Sequence, residues 1–203
     1  MNFIIKFRTF LSFFILLSLG FVLTSFGQTT KKRLLKIDLI TPLAKTLSIA
    51  YETKQNDKSS FQIGFHYTNA NNTISNYSKV EGVGAMLEYR LYLSKKRVSP
   101  EGFFMGFSGR GQRLAYEKTD YTTVYNPITQ TYTTSTQLQK DFNIFMGVGL
   151  SFGGQWVFKD AVNLSVFGGP TYYFGADNAP STIIMTNGNG YGFTLGCMVG
   201  IAF

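Results

Sequence analysis

Cysteine occurs once, at Cys197, in 203 residues. That excludes an intramolecular disulfide framework, a cysteine-rich metal site and a lipidated cysteine near the N-terminus. Histidine also occurs once, at His66, so a histidine metal centre is excluded as well. Acidic residues number 11 against 19 basic ones. Asp120, Asp177 and the asparagines around them do not fall at calcium-loop spacing. Beyond residue 27 no apolar run approaches the roughly 20 residues a spanning helix requires. Any membrane protein made from that part of the chain has to be a closed β-barrel, because lipid offers no partner for unpaired backbone groups.

What is abundant fits that architecture. Phe occurs 20 times, Tyr 12 and Gly 21. The N-terminus carries Lys6 and Arg8, an apolar stretch from Phe10 to Leu23, and then Ser25-Phe26-Gly27 with small residues at the positions a signal peptidase inspects. This arrangement predicts an export signal over 1–27, a short segment over 28–33 and a barrel over 34–203. The formal charge of +8 suits anionic lipid head groups. With no basic stripe interleaved with aromatics, nucleic acid is not an expected partner.

From Gly190 to Phe203 the chain alternates without a break. Tyr191, Phe193, Leu195, Cys197, Val199, Ile201 and Phe203 fall on one side, and small or polar residues on the other. A strand that crosses a hydrocarbon layer needs roughly nine to eleven residues written this way. The same period recurs over 162–175, 141–158, 102–116, 82–93 and, more briefly, around 61–67, 47–51 and 35–40, which predicts eight antiparallel strands in an up-and-down transmembrane barrel. Apolar spacings of three and four, the mark of an amphipathic helix, do not persist.

Connection lengths agree with this reading. Short links at 55–59, 94–100 and 159–161 alternate with long ones at 69–79, 118–137 and 176–189, as in outer-membrane barrels whose extracellular loops are the long ones. The link at 41–45 is the short exception. Around Asn126-Pro127 the fifth loop alternates Thr and Tyr, so the strands beside it are expected to continue as a hairpin. Tyr51, Tyr67, Tyr89, Trp156, Tyr172 and Tyr191 are expected at the two membrane interfaces, and Cys197 on the lipid side.

Inward parity collects Lys36, Asp38, Glu52, His66, Glu88, Arg90, Arg110 and Asp141 into a lumen whose charges nearly balance. Such a set reads as an internal salt-bridge network that closes the barrel, whereas a selectivity filter calls for one sign along a pore. His66, with Thr68 two residues on, is the one pairing with catalytic potential, and the expected state is a histidine hydrogen-bonded to Glu52 or a tyrosine. The stretch GVGLSFG at 147–153 lacks the lysine and the helix of a nucleotide loop.

The segments EYRLYLSKK at 88–96, GFFMGF at 102–107 and GVGLSFGGQWVF at 147–158 resemble a family of small outer-membrane proteins of unknown function common in Bacteroidota. The resemblance implies an eight-stranded barrel inserted by the barrel-assembly machinery, which reads the last strand; Val199, Ile201 and Phe203 would be that signal. It carries no catalytic residue over, and no cofactor is expected. Taken together, the expected function is non-enzymatic: a structural or surface-contact role in the outer membrane of a Gram-negative cell, with lipid, lipopolysaccharide and an extracellular ligand as partners. A second reading is a narrow pore or lateral conduit for small or apolar molecules, and a third is a lipid-modifying enzyme using His66.

Overall fold

Strand-forming alternation dominates the computed structural model, which describes residues 31–71, 77–94, 97–126, 130–175 and 190–203. The expected export signal therefore lies outside the described residues. The strands are β1 (Arg33–Asp38), β2 (Thr46–Asn56), β3 (Ser59–Asn71), β4 (Tyr77–Tyr92), β5 (Gly102–Asn126), β6 (Thr131–Phe158), β7 (Val162–Phe174) and β8 (Gly190–Ala202). A 3-10 turn at Thr41–Ala44 links the first two. Every strand pairs antiparallel with the next, and β8 returns to pair with β1 through Lys36↔Gly200 and Asp38↔Met198, so the sheet closes into a barrel. Closure leaves no edge along the paired part of the sheet.

Because successive side chains point to opposite faces, the wall sorts its residues. In β7, Asn163, Ser165, Phe167, Thr171 and Tyr173 are buried inside, while Val162, Val166, Tyr172 and Phe174 are exposed outside. Leu35, Ile37, Ile49, Phe65, Val83, Leu87, Phe107, Ile144, Val148, Phe193 and Leu195 also face out. The wall is turned inside out relative to a water-soluble core.

Turn chemistry sets the hairpins. Lys159 and Asp160 both have left-handed backbone, with φ of 51° and 54°. That handedness matches the twist of β6 and β7.

Strand lengths differ widely, from 6 residues in β1 to 28 in β6. At the usual rise these are roughly 20 Å and roughly 90 Å. Pairing of β5 with β6 runs unbroken to Asn126↔Thr131. By contrast, β4 accompanies β5 only to Lys118, and β7 accompanies β6 only to Met146. The residues expected as a loop at 118–137 are thus mostly a two-stranded ribbon standing above the barrel, held by pairs such as Tyr125–Tyr132, 4.9 Å between ring centroids, and Thr123–Thr134, 3.2 Å between hydroxyls. The expected 69–79 loop is likewise strand at both ends, since β3 reaches Asn71 and β4 starts at Tyr77. The expected 176–189 loop lies outside the described residues.

Two positions depart from expectation. Asp141 has inward parity, opposite Tyr116, yet it is exposed, because the wall on the β7 side has ended below it. Cys197 keeps outward parity opposite Val166 but is 4 % exposed. A short thiol among taller outward side chains is covered by them.

Candidate functional site

The barrel interior is layered, and the layer at the end where β1 begins and β8 finishes is ionic. Glu88, Arg90 and Tyr92 occupy alternate positions of β4, which brings all three to the inside of one strand. Lys36 of β1 and Glu52 of β2 approach from the opposite wall, with Lys36 Nζ 2.5 Å from Glu52 Oε2. Arg90 donates through Nη2 and Nε to Glu88 Oε2 at 2.7 and 2.9 Å, and its Nη1 lies 3.5 Å from Glu52 Oε2. Two cations thus meet two anions, all at most 2 % exposed.

Neutral side chains complete the valences. Gln155 Oε1 accepts from Lys36 Nζ at 3.2 Å and Arg90 Nη1 at 3.0 Å, while its Nε2 donates to Glu52 at 3.1 Å, to Tyr92 Oη at 3.0 Å and to the Pro100 carbonyl at 2.6 Å. Tyr92 Oη donates to Glu52 at 2.6 Å, and Ser60 donates to the same carboxylate oxygen. Glu88 receives Gln62 Nε2 at 3.2 Å and the Ser151 hydroxyl. The Arg90 guanidinium lies 4.2 Å over the Phe104 ring centroid and 5.4 Å from that of Phe167. Buried ions persist where charge and hydrogen bonding are both balanced, and this cluster meets both conditions.

The β4–β5 connection folds against the underside of the cluster. Ser99 bonds the Asp57 carbonyl through its N–H and the Ser59 carbonyl through its hydroxyl, each at 3.0 Å. Glu101 is fully buried and paired with Arg97. These residues were not legible as site residues, because they sit in a connection without periodicity. Gln155 did carry a signal, as an amide at an inward position of a glycine-rich strand.

Four of the eight expected network members, Lys36, Glu52, Glu88 and Arg90, meet here; the other four do not. Asp38 caps the turn after β1, its Oδ1 accepting the Ile40 and Thr41 N–H groups at 2.7 and 3.3 Å. Arg110 stands opposite Met86 rather than Glu88, and its Nη1 donates to Tyr173 Oη at 3.2 Å. His66 is in register with Gln112 across Gly84 and lines one cavity with Arg110, rather than meeting Glu52 or a tyrosine as expected. Glu88 is one inward step along β4 from Met86, but the hydrogen bonds of Arg110 go to Tyr173 and Met86 instead. Asp141 is outside the lumen altogether. Thr68, the hydroxyl beside His66 in sequence, is bonded instead to Thr46 at 2.9 Å. Among the described residues no group of three His, Cys, Asp or Glu side chains is placed to hold a metal.

Above the second layer, Ala70, Val80, Leu114, Tyr116, Phe145 and Tyr173 form an apolar cluster. Glycines on the inner wall make room for the large groups: a Cβ on Gly196 would fall 2.2 Å from the Phe167 ring, and one on Gly106 would fall 2.4 Å from Glu88 Oε1.

Outside, the aromatics gather in two zones. Tyr51 pairs with Phe203, and Phe103 sits edge-on to Trp156, toward the end where β1 begins and β8 finishes, where Tyr89 also stands. Tyr172 and Tyr191 are in edge contact toward the other end, on the same side of the barrel height as Tyr67. Val199 and Ile201 pair with Ile37 and Leu35 of β1, and Phe203 exchanges backbone hydrogen bonds with Arg33, so these three form the closing seam.

No curated protein matches the chain. Among solved structures, the N-terminal β-barrel domain of Pseudomonas aeruginosa OprF is similar at 12 % identity and a TM-score of 0.38, covering 87 % of this chain and 99 % of that one. A family model described as "Protein of unknown function (DUF3575)" matches residues 12–179. Since that match spans most of the sequence, the chain belongs to the DUF3575 family.

Proposed function

We propose that this protein is a non-enzymatic outer-membrane β-barrel of a Gram-negative envelope, exported by its N-terminal signal and inserted through its last strand. The single observation that carries the reading is the inverted wall: apolar side chains such as Leu87, Phe107, Val148 and Leu195 face outward between two aromatic zones, while the charges lie inside. Water would oppose such a surface, and hydrocarbon favours it. The start of β1 and the end of β8 then lie on the periplasmic side, and the β5–β6 ribbon stands outside the cell as the element available for contact with lipopolysaccharide or an external ligand.

The charge-balanced, hydrogen-bonded cluster across the lumen favours a closed barrel over a pore. Expression in a Gram-negative host followed by fractionation tests the placement. The expected result is a protein in the outer-membrane fraction whose gel mobility changes on heating and which conducts no ions in planar bilayers. Recovery as a soluble protein overturns the reading. A lateral conduit is kept as a second reading because β1 ends at Asp38, which leaves the wall low on one side.

A further inference from the structure

The low side of the wall borders an unfilled part of the lumen. β8 pairs with β1 only up to Met198↔Asp38, and β2 pairs with β3 only up to Thr46↔Thr68. Above that level the remaining strands continue, and the apolar cluster that roofs the lumen draws on β3, β4, β5, β6 and β7 alone. Beneath its edge is a cavity of about 80 Å³, lined by Thr41, Thr46 and Thr194 on the low side and by Arg110, His66 and Gln112 within. That volume accommodates roughly six water-sized positions.

Arg110 is the unusual lining group. Arg90, one layer below, has Glu88 at 2.7 Å. Arg110 has no carboxylate within ion-pair distance among the described residues. Its contacts are the Tyr173 hydroxyl, the Met86 sulfur at 3.7 Å and the Tyr173 ring at 5.9 Å, and its buried Nε has no hydrogen-bond partner. A guanidinium so placed lacks a counter-charge, and a carboxylate matches its planar fork. Asp38 lines the same cavity, but its Oδ1 is held by the turn it caps. One cation beside one committed carboxylate suits a monoanion and disfavours a dianion. Met86, Phe167 and Met198 supply an apolar wall next to the charge.

We propose that this cavity is a binding site for a monocarboxylate with a short alkyl part: the carboxylate on Arg110, the alkyl part against Met86, Phe167 and Met198, and entry over the low wall between β8 and β3. The site goes beyond the envelope role and does not depend on it. The same chemistry is offered by a free short-chain acid and by the head of a membrane fatty acid.

Calorimetric titration of the full chain, folded in a neutral detergent and checked by heat-modifiable gel mobility, tests it with butyrate, octanoate and octanol. Saturable octanoate binding at least ten-fold tighter than octanol is expected. Arg110→Gln should weaken it at least ten-fold, and Arg110→Lys, which keeps the charge but not the planar fork, should fall between the two. Butyrate equal to octanoate supports the site as one for free acids, and octanoate well ahead of butyrate supports acyl chains. Octanol binding as tightly as octanoate, unchanged binding in folded Arg110→Gln, or no saturable carboxylate binding to folded chain overturns the proposal. Should Arg110→Gln not fold, the comparison of octanoate with octanol on the unsubstituted chain decides. Since the gel assay reports folding separately, and fractionation reports placement, failure of the binding proposal is distinguishable from failure of the envelope reading.

Discussion

Lys36 Nζ lies 2.5 Å from Glu52 Oε2 across the first hairpin, with both side chains wholly out of solvent. Glu52 also receives Tyr92, Ser60 and Gln155, so its carboxylate is the hub that joins β1, β2, β3, β4 and β6. Glu52→Gln would leave Lys36 without a carboxylate contact among the described residues and Arg90 with Glu88. We expect a loss of about 3–5 kcal/mol, the usual cost of removing one partner from a buried pair. Urea unfolding of the barrel in lipid vesicles, followed by tryptophan fluorescence, measures it. Lys36→Met combined with Glu52→Gln should recover a large part of that loss, because the stranded cation is then gone; a double variant as unstable as the single one would show that charge balance is not what holds the layer.

Glycine at 106 answers to Glu88 rather than to the backbone. A Cβ there would come 2.3 Å from the Ser151 hydroxyl and 2.4 Å from Glu88 Oε1, whereas one on Gly109 meets nothing within 4 Å. Gly106→Ala should therefore destabilise by about 1–3 kcal/mol through overpacking. Gly109→Ala should stay within roughly 0.5 kcal/mol. The same unfolding assay compares the two, and equal effects would contradict the packing described.

Leu87 and Val124 are both exposed, at 51 % and 60 %, but one is on the barrel wall and the other on the ribbon. If the wall faces hydrocarbon, Leu87→Arg costs about 2–4 kcal/mol near the bilayer midplane, while Val124→Arg changes little. In a water-facing barrel both would be neutral. Folding yields into vesicles, read from heat-modifiable mobility, separate the two cases.

The ribbon leaves the barrel above Lys118 on one side and Met146 on the other. Replacing residues 121–136 with a two-residue Asn-Gly turn should leave the melting temperature in detergent within a few degrees, because no strand other than its own partner pairs with that part. Any cell-surface or ligand adhesion shown by the full chain should disappear; retained adhesion would move the contact surface elsewhere.

Much of the wall was legible because period two is a local property. Phe193, Leu195 and Ile201 face outward as the alternation requires, and Glu88, Arg90 and Tyr92 share the inside of one strand. Ribbon height was less legible: the Thr and Tyr alternation around 120–136 suits both a loop and a strand, and pairing to Asn126↔Thr131 settled it. Asp141 shows the limit of parity, which gives a side but not a height. It points inward at a level where the neighbouring wall has ended.

The sequence by itself determined the strand period, the direction in which each side chain points and the near-balance of inward charge, since each follows from neighbours along one chain. The tertiary structure decided which inward charges meet. Register placed Lys36, Glu52, Glu88 and Arg90 at one height around Gln155, and put Arg110 opposite Met86, where it bonds Tyr173 and not Glu88. Coulomb and hydrogen-bond energies fall away over a few ångströms, and that separation is set by how strands slide past one another when the ring closes.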